Sequence, residues 1–390
     1  MKYVEQLPVQ GKTVFLRVDF NVPLKDGRVE DDTRIKAALP TIKFLQEKGA
    51  RIILASHLGR PKGQRKPELS LKPVAQRLAE LLGAEVKFCP ETVGPLAQQM
   101  KKSLGEREVL LLENLRFHPG ETGDDEEFAR QLAEGIEVYV NDAFGTCHRA
   151  HASVHALARL VPLKGAGFLV KKEVENLSRV LKNPAHPYVL IAGGAKVSDK
   201  IPVLKNLMSH ADKVLVGGAM AYTFLKASGK PVGNSLVEEE MMEEALGIME
   251  EAERKGTEFL LPEDHRCVRE ISEDAQVKIM EEIEDEWKGV DIGPRTEKLY
   301  GEKIRQAAMI VWNGPMGIFE MEPFSGGTVA VAKAVADSPA FSVVGGGDSA
   351  SAVKKAGVQD RISHISTGGG ASLEFLSGKT LPGLEVLEEG

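Results

Sequence analysis

The chain has 390 residues, more than one typical core organises, so two domains are expected. Its 42% hydrophobic and 27% charged content is that of an ordinary soluble globular protein, and a net charge of -7 argues against nucleic acid as a partner. No apolar run reaches the length of a membrane helix, and "MKYVEQLPVQGKTVF" lacks the apolar core of a signal peptide, so the cytoplasm is the expected compartment.

From the N-terminus, the strand-like "TVFLRVDF" leads into the helical "TRIKAALPTIKFLQEKG", where Gly49 is the stop signal. Then come "ARIILASHL", the helix "KPVAQRLAELLG", and the strand-like runs "AEVKF", "REVLLLENLRF" and "IEVYVNDAF". Near-continuous apolar strands between helices indicate a parallel sheet covered on both faces. A predicted helix, "FLVKKEVENLSRVL", and the proline-broken "KNPAHP" lead to a second half that repeats the plan from "PYVLIAGG" onward. The expected architecture is α/β, with two doubly wound, Rossmann-like parallel sheets joined by a hinge helix. The expected division sets 1–169 with the tail 375–390 against 170–374, since "SGKTLPGLEVLEEG" is too short to form its own layer. The acidic runs "GDDEEFARQLAEG", "VEEEMMEEALGIMEEAERKG" and "EEIEDEW" read as solvated helix faces with acidic first turns. Cys89, Cys147 and Cys267 are scattered without zinc spacing, which suits a reducing compartment.

In open parallel sheets, ligands bind outside the carboxyl ends of the strands. In the first half those ends carry Asp19 and Asn21 in "RVDFNVP", His57 and Arg60 in "ASHLGRP", and Arg116 in "ENLRFH". They continue with His148, Arg149 and His151 in "NDAFGTCHRAHAS", while Arg34 opens the first helix. Any one of these is more often a surface residue. Their recurrence at four strand ends points to a small, multiply charged anion, which arginine forks pair with bidentately. His148, His151 and His155 have a spacing that invites a zinc reading, but Cys147 is the one apparent partner. Lys62, Arg65 and Lys66 in "GRPKGQRKPELS" read as a solvated loop.

The second half makes nearly the same turn four times, in "VLIAGGAKVSDKI", "KVLVGGAMAYTFL", "FSVVGGGDSASAV" and "ISHISTGGGASLEFL". Backbone N–H groups at a helix start bind phosphate and glycine lets the anion approach, although tight turns and close packing need glycine too. Neither GxxxxGK[ST] nor GxGxxG occurs. Lys196 and Lys200, i and i+4 at the start of the helix after "IAGG", are disfavoured by the helix dipole unless an anion faces them. Asp348 is either a helix cap or, beside phosphates, a magnesium ligand. Asn313 and Glu320 in "VWNGPMGIFE" can reach a ribose or base. One half is thus expected to bind a small anion and the other a nucleotide.

With "RVDFNVP", "SHLGRP", "ENLRFHPGE", "NDAFGTCHRAHAS", "GGAKVSDKI", "VGGAMAYTFL", "DIGP", "VWNGPMGIFE", "VVGGGDS" and "STGGGASLE" in order, the chain resembles the phosphoglycerate kinase family over essentially its whole length. The resemblance implies reversible phosphoryl transfer from 1,3-bisphosphoglycerate to MgADP in glycolysis, giving 3-phosphoglycerate and MgATP by domain closure and direct in-line transfer. It implies a monomer, with no membrane or nucleic-acid partner. The triose-phosphate side would be Asp19, Asn21, Arg34, His57, Arg60, Arg116 and Arg149. The nucleotide side would be Lys196, Lys200, Gly217, Gly218, Gly289, Asn313, Pro315, Glu320, Gly346, Gly347, Asp348 and Ser349, with Asp348 on Mg²⁺. Gly368, Gly369 and Gly370 would donate N–H groups near the transferring phosphoryl, and the tail would fold back onto the N-terminal domain. The attacking carboxylate has no proton to lose, so catalysis reduces to positioning and charge neutralisation, with Arg34 and Lys196 from opposite halves as its candidates.

Three departures from the family pattern are visible: Ser349 for the usual threonine, Ala219 for a third glycine, and Cys147 where alanine is common, which would add an oxidisable thiol. A nicotinamide dehydrogenase would need the missing GxGxxG with an acidic residue about twenty positions later. A non-catalytic two-lobed sugar-phosphate binder would leave the paired lysines on a separate glycine-rich lobe without a task.

Overall fold

The apolar runs become strands buried along most of their length, because helices cover both faces of each sheet and period-two alternation has no exposed face to report. The computed structural model describes residues 1–389. The first six strands are β1 (Thr13–Arg17), β2 (Arg51–Ala55), β3 (Val86–Cys89), β4 (Val109–Leu112), β5 (Val138–Asn141) and β6 (Leu163–Ala166). They pair in the order β3-β4-β2-β1-β5-β6, parallel throughout, with Phe15 of β1 opposite Ile53 on one side and Tyr139 on the other. Helix α1 (Thr33–Glu47) buries Ile35, Ala38, Ile42 and Leu45, a helical stripe that joins Val14, Leu16, Ile52 and Leu54 in one core.

A second set follows: β7 (Tyr188–Ala192), β8 (Lys213–Val216), β9 (Glu258–Leu260), β10 (Met309–Asn313), β11 (Phe341–Gly345) and β12 (His364–Ile365). Its order, β9-β8-β7-β10-β11-β12, is parallel and reverses direction of growth between β7 and β10. Such a reversal opens a crevice at the carboxyl ends of the two central strands. Both halves therefore have the doubly wound parallel architecture expected from sequence. An addition is a three-stranded antiparallel sheet of His265–Val268, Lys278–Met280 and Lys288–Ile292. No helix among the described residues is long and apolar enough to cross a membrane.

The chain divides into one unit of Met1–Glu175 with the residues from Thr380 on, and a second of Asn176–Lys379. The first divide falls inside helix α2 (Phe168–Lys182), past the expected boundary at 169/170. Asp142 at the end of β5 explains this. Its Oδ1 accepts from the Leu169 and Val170 amides at 2.8 and 3.2 Å, and Thr41 accepts from the Phe168 amide at 3.0 Å, so the first turn of α2 is tied to unit 1. Further along, Arg179 stacks on Phe341 of unit 2. The second divide falls at 379/380 and not 374/375, because Leu376 accepts a 2.7 Å bond from Asn206 within unit 2. Beyond it, Leu381, Leu384, Val386 and Leu387 are buried, and the Gly383 amide donates to the Cys147 carbonyl at 2.9 Å.

Two local expectations are corrected. "EEIEDEW" is not helical; it is a turn before the strand Lys288–Ile292, closed by the Trp287 amide donating to Glu284. Ile283 is buried while the glutamates around it face solvent, so its apolar residue anchors a loop and not a helix stripe. Likewise Lys196 and Lys200 precede their helix. Helix α3 spans Ile201–Met208 with Lys200 as its N-cap, because Pro202 is suited to the first turn and to no later position. The i, i+4 helical argument for the two lysines does not hold.

Candidate active site

At the carboxyl ends of the unit 1 strands, the loops after β1 and β2 are tied together. Asn21 Oδ1 accepts from the Gly59 amide at 2.9 Å, and Asp19 Oδ1 accepts from the Asn21 amide at 3.1 Å. The Asp19 carboxylate in turn holds Arg34 Nη1 at 3.1 Å, so two of the expected contacts act here by orienting a third. Arg116 donates to the Gly59 carbonyl at 2.8 Å and is buried, and burial beside Arg17 and Arg149 pushes its pKa down to about 10.

Arg60, Arg116 and Arg149 line one cavity of about 510 Å³, with Gly63, Pro119 and Thr122. Lys62 lines it as well, from the exposed loop expected of it. Four cations without a carboxylate in the lining make an anion pocket. His57 and His151 are buried nearby, and desolvation with the surrounding arginines holds both pKa values down, His57 well below its usual value and His151 to about 4. The zinc reading fails on geometry. His155 Nδ1 pairs with Asp124 at 2.6 Å, a carboxylate the sequence order did not suggest, and no His/Cys/Asp/Glu group suited to a metal occurs among the described residues.

In unit 2, a cleft of about 450 Å³ is lined by Gly194, Gly218, Gly289, Pro315, Glu320 and Asp348 together with Asn234, Leu236, Ile271, Lys288, Val290 and Ile318. Five expected nucleotide contacts thus meet there. Leu236 and Ile271 are 58% and 50% exposed, an unusual state for large apolar side chains that gives the cleft an apolar wall. Sequence reasoning missed these walls, since nothing separates such a leucine from a core leucine before the fold is known.

Several of the glycines have a packing reason. A Cβ on Gly193 would lie 2.1 Å from the Pro315 carbonyl oxygen, and one on Gly289 would lie 2.1 Å from the Tyr222 hydroxyl. The amides of Gly217 and Gly218 already donate to Ala192 and Met316, and that of Gly368 to Ser366. A Cβ on Gly346 would lie 2.9 Å from Asn313 Nδ2, whereas Gly347 is open. Gly346 has φ +93° and is the N-cap of helix α4 (Gly347–Lys355), and nothing lies within 4 Å of a Cβ on Gly347, so that helix start is open. Gly369 caps helix α5 (Gly370–Leu376) at φ +52°, also with nothing within 4 Å. Asn313 is buried, donating to the Gly345 carbonyl at 2.7 Å and accepting from Lys200 Nζ. Burial pushes the Lys200 pKa down, with Asp199 and Asp348 opposing that shift. Lys196 is exposed on the turn before α3.

The phosphoglycerate kinase family model matches residues 4–379. The chain belongs to the phosphoglycerate kinase family. Phosphoglycerate kinase of Thermosipho africanus (strain TCF52B) is 54% identical over 98% of this chain and 96% of its own length. That of Anaeromyxobacter sp. (strain K) is 55% identical over the full length of both. The solved structure of phosphoglycerate kinase from Coxiella burnetii superposes with a TM-score of 0.91 at 42% identity, covering 99% of this chain and 98% of that one. The chain is accordingly a kinase, a phosphotransferase of glycolysis, and the non-catalytic sugar-phosphate binder is not favoured.

The departures from the family pattern acquire causes. Ser349 is buried and its Oγ accepts from the Gly314 amide at 2.6 Å, a task its hydroxyl performs as a threonine's would. Ala219 lines the cleft. Cys147 is fully buried and its thiol is pushed up to about 12 by desolvation, which corrects the expectation of an oxidisable group.

Proposed function

We propose that this phosphoglycerate kinase family member transfers a phosphoryl group reversibly between 1,3-bisphosphoglycerate and MgADP, with the phosphoglycerate on unit 1 and the nucleotide on unit 2. The observation that carries the reading is the pairing of two unlike sites. One is a pocket of Arg60, Lys62, Arg116 and Arg149, and the other a glycine-edged cleft with an apolar wall and two carboxylates, Glu320 and Asp348. Arginine forks suit the phosphate and carboxylate of 3-phosphoglycerate. The apolar wall suits a base, and the open N-terminus of α4 suits its phosphates.

Asp348 is the residue that would hold the metal of MgADP. It is exposed and lines the cleft at the first turn of α4, and Mg²⁺ on a nucleotide takes one or two carboxylates with phosphate oxygens and water. Bound there, the metal neutralises phosphate charge. Arg34, aimed by Asp19, and Lys196 cover the charge on the transferring group, with Gly369 and Gly370 offering amides at the start of α5. The attacking carboxylate oxygen is already ionised, so no side chain needs to remove a proton. In-line transfer requires the reacting atoms within about 3–3.5 Å, so two substrates carried on separate units must be brought together by closure about α2. We further propose a monomer, and a cytoplasmic location that three free, buried cysteines support. A coupled assay of ADP formation from MgATP and 3-phosphoglycerate tests the proposal: turnover that requires both is expected, and ADP release independent of 3-phosphoglycerate would overturn it.

A further inference from the structure

Arg17 ends strand β1 and is fully buried, as is Glu121, whose carboxylate lies 3.9 Å from its guanidinium. Ser153 joins the two. Its hydroxyl donates to Glu121 Oε1 at 2.6 Å and accepts from Arg17 Nε at 2.8 Å, while its amide donates to Glu121 Oε2 at 3.0 Å. Arg17 Nη1 donates to the Val18 carbonyl, which fixes the guanidinium plane. With that plane fixed, Arg17 Nη2 lies 3.2 Å from Nδ1 of His57. A guanidinium has donors and no acceptor, so the imidazole nitrogen must accept. A neutral ring that accepts at Nδ1 carries its hydrogen on Nε2.

We propose that Arg17, clamped by Ser153 and Glu121, is a positioning residue that locks His57 in the Nε2–H tautomer and so presents the phosphoglycerate with a fixed N–H donor. This rests on the reading that places His57 at the phosphoglycerate site. The charges around the ring agree with the geometry. Burial first, then Arg17, Arg116, Arg34 and His151, hold the His57 pKa well below its ordinary value. The carboxylates in the same neighbourhood are already engaged, Asp19 with Arg34 and Glu121 with Arg17 and Ser153. A cationic ring would have to donate from Nδ1 into a guanidinium, so the lock and the charge state enforce each other. Charge on the bound anion is met by Arg60, Arg116 and Arg149, and a histidine that never titrates adds a contact of constant strength across the range where histidine ordinarily changes charge.

Isotope-edited NMR of the histidine nitrogens in the intact protein tests the lock, combined with steady-state kinetics. The wild-type ring is expected to show the Nε2–H tautomer unchanged from about pH 5 to 8 and to shift when 3-phosphoglycerate saturates the site. Arg17→Met/Glu121→Gln removes both charges, so that neither is left buried alone. In it, the ring is expected to mix tautomers and its pKa to rise from the wild-type position, with burial, Arg116, Arg34 and His151 still holding it below the ordinary value. The KM for 3-phosphoglycerate is expected to rise about tenfold and to gain a pH dependence absent from the wild type, with kcat changing less. A wild-type Nδ1–H tautomer, or an unchanged tautomer and titration in the double variant, would overturn the lock. A ring that keeps its tautomer but is unmoved by saturating 3-phosphoglycerate would instead remove His57 from the substrate site, and its role with it. The wild-type spectrum decides the tautomer even if the double variant fails to fold.

Discussion

Arg34 is 37% exposed and has Asp19 as its carboxylate partner, so its guanidinium is aimed without being used up. Arg34→Ala is expected to lower kcat by about 10²–10³, the scale of losing one donor to a transition-state charge, while MgADP affinity stays level. Turnover and nucleotide calorimetry on the same preparation check this, and an unchanged kcat would take Arg34 out of the chemistry. Asp348→Asn is expected to weaken MgADP by about tenfold or more, or 1.4 kcal/mol and upward, and metal-free ADP much less. Equal losses for the two ligands would make Asp348 a helix-terminus residue alone. At this scale the sequence showed the cations at strand ends, because a parallel sheet with both faces covered leaves its ends as the place for clustered charge. It did not show Arg17, which sits in an apolar strand and is stabilised by Ser153 and Glu121, partners more than a hundred residues away. For the turn glycines at 193 and 217 it left packing and phosphate approach both open, and their absent Cβ makes room for Pro315 and Met316.

Helix α2 begins on a buried acid. Asp142 is fully buried, and desolvation pushes its pKa from 3.8 to about 7, with the amides of Val170 and Leu169 and the Thr41 hydroxyl opposing the shift. Between those values the folded state keeps a proton that the unfolded chain has released. Stability should therefore fall as pH rises through that window, and the loss is complete above about 7. The size is on the order of 4 kcal/mol. Asp142→Asn keeps an oxygen for the Leu169 and Val170 amides and removes the titration, so denaturant melts at pH 5 and pH 8 should differ less than in the wild type. Parallel pH dependences in the two proteins would show that Asp142 is not the source. The elements themselves were legible where a long apolar or amphipathic run decided them, as in β1, β10 and α2. The start of α3 was not, because a two-glycine turn gives no count of the residues before the helix, and only Pro202 fixes it. The strand His265–Val268 was hidden among charged residues, since it packs one face on Tyr222 and Val232 in a small separate core.

The whole molecule pairs an anion pocket on one doubly wound unit with an apolar-walled, carboxylate-bearing cleft on another, linked through α2 and by the return of the chain at Thr380. In the proposed assignment, neither unit by itself carries both a phosphoglycerate site and a nucleotide site. Direct transfer then demands approach of the two, and closure also keeps water from taking the phosphoryl group. The measurement that tests this most directly is small-angle scattering of the active protein with no ligand, with each substrate alone, and with MgATP and 3-phosphoglycerate together at saturation. The radius of gyration is expected to be smallest with both substrates and intermediate with either one. An unchanged radius under saturating ternary conditions, in a preparation with full turnover, would contradict transfer by closure between substrates held on separate units.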